Sequence, residues 1–182
     1  APSLGYYRGL FAACTDVMLA IQRLPVPVIA KVHGIATAAG CQLVAQCDLA
    51  VASTDARFAV SGVNYGLFCS TPSVALSRNL NRKQAMEMLL TGDFIDAEEA
   101  MARGLVNRVV PPDALDAAVE ELVAKIVAKA RVAVEIGKAQ FYRQVEAGIS
   151  DAYAIASEAM ACNMMDDAAL DGVQAFIDKR KP

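Results

Sequence analysis

Residues 27–59 read PVIAKVHGIATAAGCQLVAQCDLAVASTDARFA. The first eight residues form an apolar run rich in β-branched side chains and bounded by Pro27 and Gly34, which predicts a buried strand. Residues 34–40 are uncharged and mostly small. From about Ala39 to Gln46 the spacing of apolar positions becomes helical. Residues 48–54 predict a second strand and 56–60 a short third. A strand, a small-residue turn, a helix and another strand make an α/β unit whose strands are covered on both faces.

Upstream, Leu10, Cys14, Val17, Met18 and Ile21 recur at spacings of three and four, so residues 4–23 predict an amphipathic helix, ended by Pro25 and Pro27. Downstream, residues 61–72 (SGVNYGLFCSTP) read as a loop. Residues 73–91 are helical with a break near 79–81. Asp96, three residues before Glu99, opens a capping box, and Gly104 suits the position just past a helix end. Residues 105–110 predict a strand. The segments 113–130, 131–147, 150–164 and 166–179 are alanine-rich with helical period. The organisation expected is an α/β part over residues 1–111 and a helical part over 112–182, the latter too apolar to stand exposed and therefore an oligomerisation region.

Composition removes several classes of function. The chain has 182 residues, 55% hydrophobic and 20% charged, which supports a sizeable core. A net charge of −3 leaves no basic footprint for nucleic acid. No apolar run reaches the roughly 18 residues of a membrane span. The start lacks the basic-then-apolar pattern of a secretory signal. It begins Ala-Pro-Ser and enters a helix almost at once, which is expected of a fragment or of a chain whose beginning is unresolved. Five scattered cysteines make a poor disulfide framework and read as reduced thiols. With no CxxC and His33 as the one histidine, neither a metal site nor a histidine-dependent nucleophilic triad is expected. His33 ends an apolar run and is assigned a structural role.

Ala38, Ala39 and Gly40 precede a helix, where unpaired N–H groups and the helix dipole favour a negative oxygen. Such a turn could stabilise an oxyanion. A tight strand-to-helix connection accounts for the same residues. Acid–base equipment is scarce: from residue 17 to residue 86 the acidic side chains are Asp48 and Asp55, both suited to capping turns. Asn64, Cys69, Ser70 and Thr71 lie in the 61–72 loop. No histidine stands near Cys69 in the sequence to activate it.

Residues 27–59, together with LLTGDFIDAEEAMARGLVNRVVP (89–111) and the terminal GVQAFIDKRKP (172–182), resemble the crotonase superfamily, the enoyl-CoA hydratase and isomerase relatives. The likeness runs from about Leu24 to the end. It implies a crotonase-like (ClpP/crotonase) α/β spiral of ββα units with a C-terminal helical trimerisation region. It implies an acyl-CoA thioester as ligand, with coenzyme A as part of the substrate and no separate cofactor, and a homotrimer or hexamer. The location implied is cytoplasmic in a bacterium, or the mitochondrial matrix in a eukaryote.

In that family two backbone N–H groups hold the thioester oxygen. One matches Ala39, with Ala38 and Gly40 beside it. The other belongs to a segment before the first helix, and this sequence has no counterpart of that segment. The hydratases' two catalytic glutamates match positions 42 and 62, which here are Gln42 and Gly62. Glutamine cannot shuttle a proton near neutral pH, and glycine has no side chain. Standard hydration is therefore not expected. Either a binding protein or an active acyl-CoA enzyme with atypical catalytic residues (hydratase, isomerase, thioesterase or decarboxylase) remains. The resemblance also implies acyl-pocket roles for Asn64, Cys69 and Ser70, and contacts of Phe176 and Lys179 with the CoA moiety.

Overall fold

In a computed structural model describing residues 2–180, the chain divides into two units. The first comprises Ala1–Leu24 and Val28–Glu121, the second Pro25–Pro27 and Leu122–Pro182.

The first unit opens with α1 (Leu4–Arg23), whose Ser3 hydroxyl accepts the Tyr6 N–H at its start. Then come β1 (Ile29–Val32), β2 (Ile35–Thr37), α2 (Ala39–Gln46), β3 (Leu49–Ser53) and β4 (Arg57–Ala59). A 3₁₀ turn (Ser61–Tyr65), α3 (Ser70–Asn79), α4 (Arg82–Thr91), β5 (Ile95–Asp96), α5 (Ala97–Ala102) and β6 (Arg108–Val110) complete the order up to α6 (Leu115–Val127). The first four strands alternate between two sheets. One has the parallel order β1-β3-β6; in the other, β2 pairs parallel with β4, and β4 antiparallel with β5. Two strand–strand–helix turns in succession are the α/β spiral that the family resemblance implies.

β3 and β4 carry the core: Ala52, Phe58 and the following Val60 are fully buried and cluster with Leu76 and Met88 from α3 and α4, whereas β1 and β2 are only partly covered, with Lys31 and Ile35 exposed. The expected cap at residue 96 is present, with Asp96 Oδ1 accepting the Glu99 N–H at 2.8 Å. Gly104 takes φ +89°, the left-handed conformation expected just past α5. Asp48 caps too: its Oδ2 accepts the Val28 N–H at 2.6 Å, at the entrance to β1.

Three short elements differ from the sequence reading. β2 lies within the presumed turn, the 3₁₀ turn within the presumed loop, and β5 has two residues. None is long enough to show a period. β2 exists because Ile35, Ala36 and Thr37 find partners at Arg57, Phe58 and Ala59, about twenty residues away.

The second unit holds α7 (Arg131–Val145), α8 (Ile149–Met164) and α9 (Asp167–Ile177), with α7 packed on α8 and α8 on α9. Lys138 is buried and donates from Nζ to the Val26 carbonyl at 2.9 Å. Many large apolar side chains of these helices stand exposed, among them Ile149, Tyr153, Met160 and Phe176. Among the described residues no helix is long and apolar enough to cross a membrane.

Candidate functional site

β2 ends at Thr37 and α2 begins at Ala39, so Ala38 must turn the chain within one residue. It does so at φ 49°, ψ −116°, a conformation that a residue with a Cβ rarely adopts and that costs of the order of 1–3 kcal/mol. Both sides of the turn are pinned. The Ala38 N–H donates to the Ala59 carbonyl at 3.0 Å, and the Ala38 carbonyl accepts the Gln42 N–H at 3.0 Å. The leading N–H groups of α2 have no acceptor within the helix, and no side chain caps them from Ala38. Ala39 and Gly40 are exposed.

A Cβ added to Gly40 would meet nothing within 4 Å, and Gly40 does not have a positive φ. Packing and backbone conformation therefore leave the glycine at 40 unexplained. Close packing of a strand-to-helix turn, the plainer reading of these residues, does not account for it.

Gln42, one turn into α2, is 5% exposed. Its Oε1 accepts the Cys14 thiol at 3.9 Å, so the side chain is directed toward α1. Cys41 beside it is fully buried; burial pushes its thiol up to about 12, and the nearby Cys69 adds to the shift.

Gly62 lies in the 3₁₀ turn and closes the neck of a small loop. Its N–H donates to Cys69 Sγ at 3.3 Å, and its carbonyl accepts the Leu67 N–H at 3.0 Å. An ideal Cβ at this position would fall 2.3 Å from the Leu67 carbonyl oxygen and 2.7 Å from Cys69 Sγ. Position 62 has no room for any side chain. Cys69 is a core residue, 7% exposed, immediately before α3. Ser70, the first residue of α3, is exposed and donates to the Phe68 carbonyl at 3.4 Å. Asn64 is exposed, with its amide about 3.1 Å from where a Cβ on Gly92 would lie. Phe176 (83% exposed, on α9) and Lys179 (φ 54°, just past α9) belong to the second unit.

The sequence reading passed over Thr37 and Ser61. Pairing of β2 with β4 brings their hydroxyls to 3.3 Å, between the Ala38 turn and Gly62. The available signal was position: each directly precedes a residue already singled out. Cys14, the partner of Gln42, was likewise unread as such. His33 is exposed on the wall of a groove of about 550 Å³ that runs along β1 beside α1 and α2.

The enoyl-CoA hydratase/isomerase family model matches residues 7–182. The mitochondrial enoyl-CoA hydratase domain-containing protein 3 of Homo sapiens is 49% identical over 177 residues, which is 97% of this chain and 58% of that protein. The short-chain-enoyl-CoA hydratase of Clostridium acetobutylicum is 37% identical over 165 residues, covering 88% of this chain and 62% of that one. Among solved structures, an enoyl-CoA hydratase from Mycobacterium smegmatis superposes with a TM-score of 0.98 at 69% identity, covering all of this chain and 71% of the other. The chain thus spans about three fifths of the length of the curated relatives it matches.

Proposed function

Because the chain belongs to the enoyl-CoA hydratase/isomerase family, we propose that it binds an acyl-CoA thioester at the Ala38–Ala39–Gly40 turn without hydrating 2-enoyl thioesters at a hydratase rate. The observation that carries this reading is the closure of position 62. A hydratase needs a carboxylate there, and the Leu67 carbonyl and Cys69 occupy the space its first side-chain atom would take. At position 42 the buried amide of Gln42 cannot cycle a proton. The binding half of the arrangement is kept: a strained, doubly pinned turn, free N–H groups and a glycine at 40 that leaves room for an approaching oxygen.

In this reading the thioester carbonyl accepts from the Ala39 N–H. Asn64, Cys69 and Ser70 border the acyl group, and Phe176 and Lys179 contact the CoA moiety. Coenzyme A arrives as part of the ligand, and no further cofactor is called for. Residues 112–182 serve as the region through which copies assemble into a trimer or hexamer. The protein works where acyl-CoA is handled, in the bacterial cytoplasm or, in a eukaryote, the mitochondrial matrix. Calorimetric titration with butyryl-CoA and crotonyl-CoA, alongside a crotonyl-CoA hydration assay, tests the proposal. Binding with negligible turnover is the expected result, and turnover at an ordinary hydratase rate would overturn it.

The strain at Ala38 favours a second reading. A turn held in a costly conformation is suited to polarising a carbonyl as well as to binding one. An acyl-CoA enzyme that uses the polarised carbonyl without the glutamate pair, such as an isomerase, thioesterase or decarboxylase, would keep the turn and dispense with positions 42 and 62. Chromatography of a thioester panel after incubation separates the two readings, since only the second predicts a new product.

A further inference from the structure

The ladder between β2 and β4 ends at the pair Thr37 and Ala59, and the chains diverge there: one into the Ala38 turn, the other through Val60 and Ser61 to Gly62. Two ties cross the divergence: the backbone bond from the Ala38 N–H to the Ala59 carbonyl at 3.0 Å, and a side-chain bridge between Thr37 Oγ1 and Ser61 Oγ at 3.3 Å. Thr37 is exposed and Ser61 half-buried, so this bridge is not demanded by the need to satisfy polar groups inside a core. Water could serve either hydroxyl as well. What the bridge does is mechanical. It joins the last ladder residue of β2 to a residue two past the end of β4, next to Ala38, the one strained non-glycine residue in the first unit's described chain.

We propose that Thr37 and Ser61 are positioning residues for the Ala39 N–H. Their bridge keeps Ala38 from relaxing to an ordinary backbone conformation and so keeps the start of α2 aimed at the thioester oxygen. The inference rests on the acyl-CoA reading above. It also links the two halves of the site, because Ser61 is joined directly to Gly62, whose N–H and carbonyl are held by Cys69 and Leu67. A shift at Thr37 would therefore be resisted by the closed loop neck as well as by β4.

The test uses para-dimethylaminocinnamoyl-CoA, a thioester whose absorption moves to longer wavelength when its carbonyl oxygen accepts strong hydrogen bonds. Thr37→Val, Ser61→Ala and Thr37→Ser are compared with the unaltered protein, with circular dichroism and the urea midpoint as controls for folding. The unaltered protein binds the probe with a red shift. Thr37→Val and Ser61→Ala lose most of the shift and bind about three- to tenfold more weakly, in line with one lost hydrogen bond. Thr37→Ser restores both. Should Thr37→Val fold poorly, Ser61→Ala decides alone. A full red shift in folded Thr37→Val or Ser61→Ala overturns the inference and leaves the acyl-CoA reading standing. No binding of the probe, or binding without a shift in the unaltered protein, overturns both.

Discussion

The backbone N–H of Gly62 donates to the Cys69 thiol at 3.3 Å, and that sulfur lies 2.7 Å from where a Cβ on Gly62 would be. The glycine and the cysteine are thus a matched pair, and the missing carboxylate is more than a point change. Gly62→Ala is expected to destabilise the fold by about 1–3 kcal/mol, because the Leu67 carbonyl, as backbone, cannot swing away as a side-chain end would. Cys69→Ala added to it should recover only part of that loss. Urea midpoints of the single and double variants measure both. Gly62→Glu should show no hydratase activity, and a gain to an ordinary hydratase rate in this variant would refute the closure of the position.

Gln42→Glu should also fail, for a different reason. At 5% exposure, with the Cys14 thiol as the neighbour of its Oε1, an introduced carboxylate would lose solvation. Its pKa would rise on folding. Stability is then fully present below the unfolded carboxylate's range and falls as pH rises through the raised value. Thermal melts should show the variant close to the unaltered protein near pH 4 and clearly below it at pH 8. Equal melting at pH 8 would mean that the site is wetter than its burial implies.

How much of this was legible in the sequence depended on the range of the interactions. The bounds of α2, the Asp96 cap and the break between α3 and α4 were read correctly, because each is set by residues within one helical turn. β2 was not, since three residues carry no period and their partners lie about twenty positions on. The replacement of both glutamates was visible as letters. The sealing of position 62 was not, because it is made by a carbonyl five residues away that only the loop's closure brings back. The Thr37–Ser61 bridge, spanning 24 positions, was hidden for the same reason.

Arg103 holds α4 and α5 together. Its Nη2 meets Glu87 Oε2 at 2.8 Å and also bonds Glu99, its Nε reaches Glu99 Oε1 at 3.0 Å, and its Nη1 donates to the Gln84 carbonyl at 3.4 Å. Burial works against its charge, yet the bonds and charges of Glu99 and Glu87 outweigh it and raise the guanidinium above its ordinary pKa. Arg103→Gln should cost about 1–3 kcal/mol, and added salt should shrink the loss, since both carboxylates are about half exposed. Chemical denaturation at low and high salt checks the magnitude and the salt response together.

The cysteines should react in the order of their exposure. Cys162 is exposed and Cys41 is fully buried, with its thiol pushed up to about 12 by burial and then by Cys69. Timed iodoacetamide labelling at pH 8, read by mass spectrometry, should modify Cys162 first and Cys41 last. The same shift has a stability consequence. A thiol whose pKa is raised in the fold contributes stability that is complete below its unfolded value, near 9, and is lost as pH rises toward about 12. Cys41→Ala should therefore show a shallower loss of stability than the unaltered protein across that window, whatever its loss at pH 7 from the vacated space.

The helices of the second unit carry the last prediction. Ile149, Tyr153, Met160, Met165, Phe176 and Ile177 are each more than 60% exposed, on or directly after two consecutive helices, α8 and α9. Apolar side chains exposed at that density are expected to be covered by further copies of the chain. Sedimentation velocity on the protein should show a trimer or hexamer. Ile149→Glu together with Met160→Glu should drive it toward smaller species, because a charge placed in a packed apolar contact is desolvated without a partner. These positions face solvent in the single chain, so the double change should leave the monomer's own helix content intact. Circular dichroism beside sedimentation separates lost assembly from lost folding, and an unaltered protein that sediments as a monomer would refute the surface's role.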